Sequence, residues 1–192
     1  MNSFALVRFI YGIMEDKLTS FEYLLYRFMQ WYEELNQIND ESHHQFLREF
    51  SRLKALKLLF LVSAIKNKDG KNLLYLFNNF YAMQHGPVES DIYNAMVHDT
   101  FKYFKFQNRQ TSFKQQKLSE LEHIKNRECL DNAISSLRQA NSKIVSCPAM
   151  DLVEITHKWI SWKSAYMVAQ MLGKGSQFMP TEMIENSNEF FS

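Results

Sequence analysis

Two pairs of side chains have the spacing of a metal-ligand set. Glu154-Ile155-Thr156-His157 and Glu120-Leu121-Glu122-His123 each put a carboxylate and an imidazole three residues apart, which on a helix is one face. Two such pairs, joined by one Glu from each of two further helices, would make a di-iron bundle site. Two features oppose that chemistry. Glu120 lies in a strongly polar segment without a clear apolar face. Glu154 and His157 fall on or beside the polar side of a helix marked by Leu152, Ile155 and Trp159. The pairs therefore read as solvated or structural, and no metal or cofactor is expected.

His157, between Thr156 and Trp162, reads as an imidazole that bridges two helices by hydrogen bonds, since a buried ring needs partners for both nitrogens. His85, beside Gly86, reads as closing a turn. The sequence has no nucleophile elbow, glycine-rich phosphate loop, His-Glu-x-x-His pair or cysteine cluster. The expectation is a binding protein rather than an enzyme.

One stretch could meet a charged partner. Lys102, Lys105, Arg109, Lys114 and Lys117 are interleaved with Tyr103, Phe104, Phe106 and Phe113. Basic charge follows a phosphate backbone and aromatic faces stack on bases, so a nucleic-acid-binding regulator is one function class. The whole chain carries only +1, which supplies no general field for nucleic acid or membrane. The plain reading is a solvated excursion between helices. A third is a docking surface for an acidic protein, steered by charge.

The 192 residues fit one domain with a sizeable core. A 46% hydrophobic content points to a globular chain. The 16 Phe, 9 Tyr and 3 Trp read first as an aromatic-rich core, with an excess that would place some at a partner surface. Charge is uneven, with eight acidic and three basic residues over 15–49 and seven basic and two acidic over 101–127. Cys129 and Cys147 are isolated and suit a reducing cytoplasm. The apolar start carries Arg8 in its middle with no small-residue cleavage site after it, so no signal peptide is expected. Nothing approaches the ~20 apolar residues of a membrane span.

These side chains must be positioned by helices. Thr19-Ser20-Phe21-Glu22 matches a capping box and predicts a helix start there. Phe21, Leu24, Leu25, Phe28, Tyr32 and Leu35 would face inward, with Glu22, Arg27 and Glu33 toward water. Met1 to Lys17 suggests a separate short helix, and 36–42 a connection. A second helix is expected from about His43 to Ile65. Its later part, Leu58-Leu59-Phe60-Leu61-Val62, is apolar all round and therefore surrounded by protein. Leu73 to Met83 fits helix or strand.

Gly86-Pro87 is the sharpest backbone break, and Val88, Ile92, Met96 and Val97 restart helical spacing. This reads as a fixed corner leading straight into a helix, with Glu89 and Asp91 at its positive end. Phe101 to Phe106 has patchy alternation that suits a short strand, and 108–112 reads as a loop. Further helices are expected over Leu130–Leu137, over Leu152–Trp159 and from Trp162 to Leu172. A last turn runs from Pro180 to Ile184.

The corner also carries a resemblance. Phe80-Tyr81-Ala82, His85-Gly86-Pro87-Val88-Glu89 and Asp91-Ile92-Tyr93 together resemble the core signature of the Panacea domain family, also described as SocA-type antitoxins and phage-associated proteins. Three further elements match in order. They are Lys54-Ala55-Leu56-Lys57-Leu58-Leu59-Phe60, the Leu152 to His157 segment with Trp162 after it, and Pro180-Thr181-Glu182-Met183-Ile184. The chain departs from the family at Met83, near which a Trp is common, and at His85, where a Tyr is common; both imply a shifted pocket and a different partner.

The resemblance implies an antitoxin that silences a cognate toxin in a direct protein complex, or delivers it to an ATP-dependent protease. The expected fold is mainly α, one helical domain over 1–192 around the apolar helix, with room for one small β element and an N-terminal helical extension over about 1–45. Tight interfaces concentrate energy in a few large anchors. The expected partner contacts are Tyr81, His85, Gly86, Pro87, Val88, Glu89, Tyr93, His157, Trp159 and Trp162, with charged help from the 102–117 stretch.

Overall fold

In a computed structural model of the chain, residues 3–38, 49–107, 109–114 and 118–192 are described, the side chains of 3–11 excepted. The fold is mainly α with a small antiparallel β component. The helices are α1 (Ser3–Asn36), α2 (Arg52–Ala64), α3 (Ser90–Val97), α4 (Arg127–Ala140), α5 (Ala149–His157), α6 (Ile160–Met171) and α7 (Thr181–Glu185). The strands are β1 (Phe80–Met83), β2 (Gly86–Glu89), β3 (Phe104–Phe106), β4 (Thr111–Phe113) and β5 (Ser176–Phe178). One sheet has the order β2-β1-β5 and the other is a β3-β4 hairpin.

α1 runs through the segment read as two elements. No proline interrupts it and Gly12 is its one glycine, so nothing breaks the ladder at Thr19. The capping-box reading fails because Glu22 does not fold back on Thr19. It is 2% exposed, and its Oε1 accepts the amides of Tyr103 at 2.6 Å and Phe104 at 3.1 Å. Glu22 was expected to face water. Instead burial pushes its carboxyl up, against the pull of those backbone N–H groups.

α2 begins at Arg52 with Ser51 as its N-cap, whose side chain accepts the Lys54 amide. The expected start near His43 lies outside the described residues. Lys54 to Ala64 are all buried, as an all-round apolar helix requires. α2 packs against β2, α5, α4 and α1. Lys54 is accommodated beneath two rings, its Nζ 5.2 Å from the Tyr32 centroid and 5.1 Å from that of Phe50.

The corner differs from its reading. The reversal is made by Gln84 and His85, and Gly86-Pro87 open the returning strand. Pro87 therefore is not in the first turn of a helix; it lies on an edge strand, where a missing N–H breaks no ladder bond. α3 starts three residues later. Glu89 is its N-cap, accepting the Ile92 amide at 2.9 Å, and Asp91 lies in its first turn. β4 occupies part of the expected 108–112 loop, and β5 was not foreseen.

Candidate functional site

Gly86 and Pro87 sit where β2 meets α2 and α5. Pro87 faces Ala82, whose backbone groups turn toward β5 in the alternating antiparallel ladder. Pro87 has no N–H, so only its carbonyl needs a partner away from the sheet. Lys57 of α2 provides it, its Nζ donating to Pro87 O at 2.6 Å. Lys57 is 0% exposed, and no carboxylate pairs with it among the described residues. Burial alone pushes its ammonium down to about 7.

Gly86 has φ +94, in the region that glycine occupies freely. A Cβ there would lie 2.6 Å from Thr156 Oγ1 and 3.1 Å from Lys57 Nζ. Thr156 is buried and its hydroxyl donates to Val153 O at 2.9 Å. Three stretches distant in sequence thus meet at one point: the Lys/Leu helix, the Gly-Pro hairpin and the Thr-His helix.

Beside this point the His157 ring stacks on Trp162 at 3.7 Å with an 8° tilt, and Trp162 stacks on Tyr166 at 5.1 Å. The Trp162 indole N–H donates to Met83 O at 3.0 Å, tying α6 to the hairpin. His157 does connect two helices, but through its ring face; its buried Nε2 has no hydrogen-bond partner. Burial lowers its pKa, and nearby Lys57 and His85 push the same way, against Glu154 and the Gln84 backbone. Glu154 is exposed and His123 lies at the surface. Glu120 is held by Lys102 and the Tyr103 hydroxyl, each at 2.8 Å. Among the described residues no three His, Cys, Asp or Glu side chains gather as a metal site.

The hairpin is anchored from its other side by α1. Lys17 Nζ donates to Glu89 Oε1 at 2.9 Å, Asp91 Oδ2 at 2.6 Å and Asn78 Oδ1 at 3.3 Å. Asn79 closes the ring, its Nδ2 donating to Asp91 Oδ1 at 2.8 Å. Burial works against the Lys17 ammonium, but Glu89 and Asp91 outweigh it and raise its pKa. Removing one member of a buried pair leaves the other charge unpaired. Lys17→Ala should therefore lower stability by about 3 kcal/mol, read as a shift in the urea midpoint, with Lys17→Arg recovering part of it. An unchanged midpoint would show that the network is solvated in solution.

The expected partner contacts divide by position. Gly86, Pro87, Val88, Glu89 and Trp162 are buried, and Trp159 is 0% exposed. Trp159 packs edge-on against Phe60 and Phe191, and its indole N–H donates to Phe190 O. These residues build the hairpin's support. Tyr81 and His157 are half-buried, while His85 and Tyr93 reach the surface. Tyr81 leans on exposed Phe178 of β5, ring centroids 5.6 Å apart.

In the basic stretch the aromatics Tyr103, Phe104 and Phe106 point into the core and Phe113 is half-buried, so the stack-and-phosphate pattern is not assembled there. Lys114 binds Asp99 and the Phe101 carbonyl, Lys102 binds Glu120, and Lys105 and Arg109 stay exposed. Lys117 lies outside the described residues.

Sequence reasoning missed Lys17, Lys57 and Phe178 as site residues. Lys57 left a signal, since a lysine inside an all-round apolar helix must find a buried acceptor. Lys17 and Phe178 left none, because their partners are distant in the chain. Residues 56–163 match the family described as antitoxin SocA-like, Panacea domain. No curated protein and no solved structure matches the chain. The matched span takes in the buried lysine, the Gly-Pro hairpin and the Thr-His helix that meet at Gly86, and it covers more than half of the residues: the chain belongs to the SocA-like antitoxin, Panacea domain family.

Proposed function

We propose that this protein is the antitoxin of a toxin–antitoxin pair and silences its cognate toxin by direct protein–protein binding. The observation that carries the reading is the family match across the hairpin and its supports. The geometry agrees with it. Occlusion needs a preorganised surface with a few large rings, because ordering flexible groups costs affinity. Here a short hairpin is fixed by Lys57 behind, Lys17 at its base and Trp162 at its side. It leaves Tyr81, His85 and Phe178 accessible, with Tyr93 on the adjoining helix. Delivery of the bound toxin to an ATP-dependent protease is a second outcome of the same binding step.

The test is co-expression with the protein encoded beside it, scored by survival and by pull-down. The wild-type chain should restore growth and copurify with that protein. Tyr81→Ala should weaken the complex about tenfold or more, the effect of removing an interface anchor, with only a small fall in melting temperature from the lost cross-strand contact with Phe178. A toxic neighbour that kills despite the wild-type chain, and does not copurify, would sink the reading. Loss of rescue in a protease-deficient host, with binding retained, would assign the delivery route over occlusion.

A further inference from the structure

The outer face of α6 and its C-cap is largely apolar, broken by Ser164 and flanked by Lys163. Ile160, Met167, Val168, Met171 and Leu172 recur at helical spacing and are exposed, Met171 to 79%. The opposite face, with Ser161, Trp162, Ala165 and Ala169, is buried, and α6 packs against β1 and β5. A helix with water on one side ordinarily turns polar residues to it.

After Gly173-Lys174-Gly175 the chain returns as β5, an edge of the sheet in contact with α6. The Met179 amide donates to Phe80 O at 2.8 Å. Ladder alternation then turns Gln177 toward β1, and the N–H and C=O groups of Ser176 and Phe178 away from it. Those groups have no backbone partner among the described residues. Along the sequence this stretch carries charge of one sign. Between Glu154 and Glu182 the chain carries Lys158, Lys163 and Lys174 and no carboxylate. Lys163 and Lys174 are exposed, while Lys158 is held by Ser192 O at 2.6 Å.

We propose that the α6 ridge and the open edge of β5 form a docking surface for an extended, apolar segment of the partner protein flanked by carboxylates. The segment adds as a strand to β5, which satisfies the unpaired backbone groups, and lays its side chains on the ridge. The methionines can adjust to its shape, and Lys163 and Lys174 steer its acidic flanks. Phe178 joins this surface to Tyr81 on the hairpin. The proposal rests on the antitoxin reading and names the chemistry that the toxin must present. An anionic bilayer would also suit methionines flanked by lysines, but hydrocarbon leaves the strand-edge groups unsatisfied. A second copy would bring like charges together.

The test compares the wild-type chain with Met171→Asp/Leu172→Asp and with Lys163→Glu/Lys174→Glu, each bound to the adjacent-gene toxin. All four side chains are exposed, so melting temperatures should stay close, the first variant falling slightly because it sets two acids at the C-terminus of α6. The first variant should weaken binding at least tenfold. The second should weaken it several-fold and flatten its salt dependence, which a merely structural role would not do. If both bind within twofold of wild type, the ridge is overturned while the antitoxin reading stands. A wild-type chain that neither binds nor rescues defeats that reading, and the ridge with it. Two further results overturn the proposal when toxin binding survives the substitutions. One is loss of sedimentation with phosphatidylcholine–phosphatidylserine vesicles, which assigns the face to a membrane. The other is loss of a dimer in light scattering, which assigns it to a second copy.

Discussion

Gly86→Ala should cost about 3–5 kcal/mol, combining left-handed backbone strain with overpacking. The new methyl would stand 2.6 Å from Thr156 Oγ1, inside any tolerable contact. Thr156 cannot swing aside freely, since it is buried and bonded to Val153 O. The next nearest atoms belong to Lys57, which is equally enclosed. Gly173 provides the control. It too has positive φ, but nothing lies within 4 Å of a Cβ built there. Gly173→Ala should therefore show the backbone part alone, about 1 kcal/mol. Urea unfolding of the two variants separates the terms, and equal midpoints would mean that the Thr156 contact relaxes without cost.

Lys57→Ala should be at least as damaging, about 5 kcal/mol at pH 9, because it opens a cavity and leaves the Pro87 carbonyl unpaired. Lys57→Met keeps the volume and loses only the hydrogen bond, about 1–3 kcal/mol. The pair also has a pH signature. In the folded protein the Lys57 ammonium is pushed down from 10.5 to about 7 by burial. Between those values the unfolded chain binds a proton that the native chain does not. Stability contributed by this group therefore rises with pH, from about 7 toward 10.5. From pH 7 to 9 wild type should gain about 2 kcal/mol relative to Lys57→Met. Parallel pH profiles would show that Lys57 keeps its proton with a partner in solution.

What could be read in the sequence was whatever depends on near neighbours. The apolar run Leu58–Val62 predicted its own burial, and Leu130, Ile134 and Leu137 predicted the inner face of α4. Glu89 and Asp91 at the start of α3 followed from the preference of helix N-termini for acids. Local signals misled where a distant group outbid them. Thr19 and Glu22 spell a helix start, but Glu22 is claimed by the amides of Tyr103 and Phe104. Gly-Pro before a helical stripe spells a first turn, yet the proline's missing N–H is used at a sheet edge facing Lys57. β5 has only Ser176, Gln177 and Phe178, too few to show alternation, and exists by pairing with β1. The split of the expected contact residues into buried supports and accessible rings is a tertiary fact that residue type does not carry.

The residues shared with the family begin at Leu56, beyond the end of α1, yet α1 is woven into them. It supplies the cation for Glu89 and the acceptor for the amides of Tyr103 and Phe104. Its Trp31 indole reaches Ser142 O. A fragment excised at the edges of the matched segment would thus inherit an anion with no counter-charge and amides with no acceptor. The boundary drawn by kinship is not a seam along which the molecule could be cut.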